Sequence, residues 1–106
     1  MEPTEQEKRD VAEILSRIES ALALDQQAAR TLLHRFVCRG KCEWYRTKSK
    51  QAGFCKGGLT EEQNAAIAKA IAAVLPGFRP EHVWYVVHGV LCPGHPRAKP
   101  PDMPER

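Results

Sequence analysis

Four cysteines and four histidines hold most of the chemistry open to this chain. Cys38, Cys42 and Cys55 fall within 18 residues, and Cys92 follows much later with His95 close behind. Thiolate and imidazole are the donors zinc prefers, and a structural zinc site takes four of them in a tetrahedron. The spacing Cys38-x3-Cys42-x12-Cys55-x36-Cys92 reads as one zinc ion held by four cysteines, with His95 as the substitute for one of them. His34 and His88 are further reserves. His34, Cys38 and Cys42 recur at every fourth position, as do His88 and Cys92, and residues four apart share a helix face. An iron–sulfur cluster on the same cysteines is the alternative cofactor. The plain structural alternative places Cys38 and Cys92 in an apolar core with no metal.

Around these cysteines the chain is strongly basic. The net charge of +3 is unevenly spread. Residues 1–30 carry four cations and seven anions, residues 31–58 seven cations and one anion, and residues 59–106 five of each. Arg39, Lys41, Arg46, Lys48, Lys50 and Lys56 alternate with Trp44, Tyr45 and Phe54 in one stretch. Cations of this kind neutralise phosphates, and interleaved aromatics stack on bases. Arg39, Lys41, Trp44, Tyr45, Arg46, Lys48, Lys50 and Lys56 are therefore the candidate nucleic-acid contacts. No helix has the basic face of a groove reader, so contacts to the backbone should dominate. The competing expectation is a solvated loop whose Trp44 and Phe54 fold back onto the metal site.

Other chemistries find little support. Cys92-Pro-Gly-His95 could pair a thiol with a base, but reads better as a ligand pair or a helix-end core cysteine. There is no phosphate-cradling lysine loop and no dinucleotide glycine pattern. The expectation is a protein that is not an enzyme and has no small-molecule substrate. The acidic N-terminus lacks the apolar run of a secretory signal. The longest apolar run, Val83 to Leu91, is too short for a membrane span. A cytoplasmic setting with reduced thiols follows, which favours ligands over disulfides.

Four helices must position these groups. Thr4-Glu5-Gln6-Glu7 is a capping box, and Val11, Ile14, Leu15, Ile18 and Leu22 form a helical stripe, which predicts a helix over 4–23. Asp25 can cap a second over 26–38, with Ala28, Ala29, Leu32, Leu33, Phe36 and Val37 as its buried face. Gly40 ends it, and the short link implies an antiparallel hairpin. Thr60-Glu61-Glu62-Gln63 caps a third over 60–75, with Ile67, Ala70, Ile71, Val74 and Leu75 inward. Pro80 opens a fourth over 80–91. It is rich in β-branched and aromatic residues, but a lone strand would have no partner in a helical chain. Five prolines in the last 14 residues predict an extended or disordered tail.

The fold expected is all-α: one four-helix domain over residues 1–92, a metal-stapled basic loop between its second and third helices, and a Pro-rich flexible tail over 93–106. The function expected is that of a zinc-binding, nucleic-acid-associated regulator, with a composition of bacterial or phage type. The competing class is a protein-interaction module, an adaptor or inhibitor, in which the metal is purely structural.

Overall fold

A computed structural model describes residues 2–38, 58–92, 94 and 97–105. They form four α-helices, each started by a device legible in the sequence. Helix α1, Glu5–Leu22, begins where Thr4 Oγ1 accepts the Glu7 N–H at 3.0 Å and the Glu7 carboxylate accepts the Thr4 N–H at 2.8 Å. It ends at Ala23, which sits in the left-handed region at φ 53°. Helix α2, Gln26–Cys38, is capped by Asp25, whose carboxylate accepts the Ala28 N–H at 2.8 Å. Helix α3, Glu61–Val74, repeats the capping box with Thr60 and Gln63. Helix α4, Pro80–Leu91, uses a variant in which His82 Nδ1 accepts the Arg79 N–H at 3.0 Å. With Nδ1 an acceptor, Nε2 carries the proton and donates to Asp102 Oδ1 at 3.1 Å.

Helix α1 packs against all three other helices, and α2 bridges α1 and α4 with a smaller contact to α3. The stripes predicted for the first and third helices are buried, apart from the half-buried Leu22: Val11, Ile14, Leu15 and Ile18 from α1, and Ile67, Ala70, Ile71, Val74 and Leu75 from the α3 region. Helix α4 buries Val83, Tyr85, Val86, Val87 and Leu91, which explains its apolar composition on more than one face.

Two local expectations change. In α2, Phe36 and Val37 are only half-buried at the core edge, while His34 and Cys38 are buried. The helix is turned so that its polar and sulfur-bearing side chains meet α4, leaving the two apolar residues at the rim. The tail also departs from the disordered expectation, because residues 97–105 lie back on the helices. The Arg97 guanidinium is buried, stacks 3.9 Å from the centroid of the Tyr85 ring, donates to the Tyr85 carbonyl and approaches Glu7 Oε1 at 3.5 Å. Gly89 makes room for it, since a Cβ there would collide with the guanidinium. Asp102 pairs with Arg79 and His82, and Met103 rests against the core. A buried cation with a carbonyl, a ring face and a carboxylate around it holds the segment. The prolines favour this too, because they have little backbone freedom to lose.

Arg97→Ala should therefore cost about 1–3 kcal/mol, the usual penalty for stripping a buried polar cluster of one member. Urea unfolding measures that cost, and limited proteolysis should cut the variant after residue 92 well before the wild type. Equal stability and equal cleavage would show that the tail is not held by Arg97.

Candidate metal centre

The last turns of α2 and α4 meet in the interior, and each brings a histidine and a cysteine. Cys38 is the final residue of α2, and His34 stands one turn before it. Cys92 caps α4 and donates its N–H to the His88 carbonyl at 2.8 Å, which fixes it one turn after His88. Both cysteines are present as thiols. All four residues are buried, with exposures of 2 % for His34 and Cys38, 0 % for His88 and 1 % for Cys92.

The side chains cross from helix to helix. Cys38 Sγ lies 3.5 Å from His88 Nδ1, and His34 Nε2 lies 3.0 Å from Cys92 Sγ. The donor atoms of Cys38, His88 and Cys92 all lie within 4.8 Å of one another. Helix α4 also sets the plane of the His88 imidazole, which stacks on Trp84 one turn earlier at 4.5 Å between centroids and 15° between planes. Burial, helped by the nearby Arg30 cation and by His88, lowers the His34 pKa to about 4. At neutral pH its imidazole is uncharged, the state that offers a lone pair.

Cys38, His88 and Cys92 together can hold a metal ion. Two thiols and an imidazole are a soft to borderline donor set, suited to zinc rather than to calcium or magnesium. Metal–ligand bonds of about 2.3 Å to sulfur and 2.0–2.1 Å to nitrogen place tetrahedral donors roughly 3.3–3.8 Å apart. The two contacts between α2 and α4, at 3.0 and 3.5 Å, are close to that spacing, and the Cys38, His88 and Cys92 donors lie within 4.8 Å of one another. A cavity of about 520 Å³ beside the group is lined by Cys38 with Phe36, Val37, Ile71, Phe78 and Val83.

Of the cysteines read as ligands, Cys38 and Cys92 are brought together from the ends of α2 and α4. His88, a reserve in the sequence, completes the triangle, and His34, another reserve, flanks it. Cys42, Cys55 and His95 lie outside the described residues. So do Arg39, Lys41, Trp44, Tyr45, Arg46, Lys48, Lys50 and Lys56. The signal that points to His88 is visible in the sequence: His34-x3-Cys38 and His88-x3-Cys92 are the same motif, each at the end of a helix.

No protein-family model matches the chain, and neither the curated proteins nor the solved structures include a match to it. Among the described residues no helix is long and apolar enough to cross a membrane.

Proposed function

We propose that this protein is a small, non-enzymatic binding module in which zinc staples α2 to α4 and the basic segment 39–56 contacts nucleic-acid phosphates. The observation that carries the metal half is the buried group of Cys38, His88 and Cys92. Its burial supports a structural rather than a catalytic role, since a catalytic zinc keeps a position open to water or substrate. The nucleic-acid half rests on charge. Six cations and three aromatics lie between Cys38 and the start of α3, and Cys38 anchors the beginning of that segment at the metal centre. Pinning the segment there would limit the conformational entropy lost on binding.

Salt tests this function. Fluorescence anisotropy with a labelled oligonucleotide should show affinity falling about 10²–10³-fold between roughly 50 and 200 mM salt. Replacing Lys41, Arg46, Lys48 and Lys50 together by Gln should remove most of that binding and flatten the salt slope, while bound metal stays at one ion per chain. No binding at low salt would rule out the nucleic-acid function and turn attention to a protein partner.

A further inference from the structure

We infer that the metal centre is a closed Cys2His2 site, completed by His34 as fourth ligand and built entirely from α2 and α4. The inference rests on the metal reading above and specifies its ligands. A tetrahedral ion needs one donor beyond Cys38, His88 and Cys92. His34 is outside that triangle, but it is 2 % exposed and its Nε2 is 3.0 Å from the Cys92 corner. It shares a helix face with Cys38, one turn away, as His88 does with Cys92. Each helix thus offers a His-x3-Cys pair, and each histidine contacts the cysteine of the opposite helix. Two such pairs facing one another supply four donors without any residue from segment 39–57.

Charge favours this set over four cysteines. Two thiolates and two neutral imidazoles around a divalent zinc ion sum to zero. Four thiolates would leave two negative charges, which are costly in an interior where the donors are 0–2 % exposed. Size favours one ion over a cluster. A cluster puts several irons and bridging sulfides between opposing ligands, whereas the donors of Cys38, His88 and Cys92 are mutually within 4.8 Å. A neutral centre also leaves Arg39, Lys41 and Lys56 with no excess negative charge to offset, so their charge remains for an external partner.

X-ray absorption at the zinc edge, with metal analysis, tests the ligand set on the full chain purified under reductant. Wild-type protein should carry one zinc with two sulfurs at about 2.3 Å and two nitrogens at about 2.0–2.1 Å. His34→Cys should keep the zinc and change the shell to three sulfurs and one nitrogen. His34→Ala should weaken zinc binding more than 100-fold, beyond the 10–100-fold effect of a residue that only supports a ligand. If the His34 variants do not fold, the triple variant Cys42→Ser, Cys55→Ser, His95→Ala decides: retention of one zinc with an unchanged shell supports the inference, and loss of zinc overturns it. A wild-type shell of three or four sulfurs, or an unchanged shell in His34→Cys, also overturns it. Wild-type protein with no metal would instead sink the metal reading itself.

Discussion

Removing the metal with a strong chelator, under reductant, should lower Tm by about 15 °C or more. Two thiols and two imidazoles face one another where α2 meets α4, all but sealed from water. Without an ion these are polar side chains held out of water, which is costly. With an ion, the free energy of binding becomes free energy of folding, because the unfolded chain does not hold the donors together. Metal at about a thousand times its dissociation constant adds about 4 kcal/mol, and each kcal/mol moves Tm by about 4 °C in a domain near this size. A melt followed by far-ultraviolet circular dichroism, with and without chelator, measures the shift. Added zinc should restore the original curve. Superimposable curves would mean that the buried donors stabilise the fold without a metal.

Leu33→Ala should be the most damaging core substitution of α2, costing about 2–5 kcal/mol. Leu33 is fully buried, and it precedes His34 directly. The loss is a large part of the roughly 5–15 kcal/mol that keeps a domain folded. Deleting its branched end leaves a cavity that the surrounding helices fill only in part. The expected phenotype differs from that of a ligand variant. Below its melting temperature, Leu33→Ala should still bind one zinc per chain, since no donor is removed. Chemical denaturation gives the cost, and metal analysis of the same sample gives the stoichiometry. A cost below about 1 kcal/mol would show that α2 is not packed through Leu33.

The fold was readable because its starts are written locally. Thr4 with Glu7, Asp25, Thr60 with Gln63, and Pro80 each mark a helix entry, and residues 26–38 and 80–91 are the helical spans in both the sequence reading and the structure. The stripes of α1 and α3 follow from the 3.6-residue period. What the sequence hides is rotation. Whether Phe36 and Val37 or His34 and Cys38 face inward depends on where α4 lies, and α4 is more than 40 residues away. Cys38 and Cys92 were legible as ligands by residue type, whereas the place of His88 beside them depends on α2 and α4 lying side by side; Cys42 and Cys55 lie outside the described residues. The tail was obscured for a similar reason. Prolines suggest an extended chain, whereas the seat for Arg97 is made by Gly89 and Tyr85 on one helix and Glu7 on another.

The contact between Cys38 and His88 joins residues 50 positions apart. During synthesis at about 5–20 residues per second, the α2 half of the centre waits roughly 3–10 s for its complement. A chain that ends before α4 carries Cys38 but neither His88 nor Cys92, so it cannot assemble the buried group.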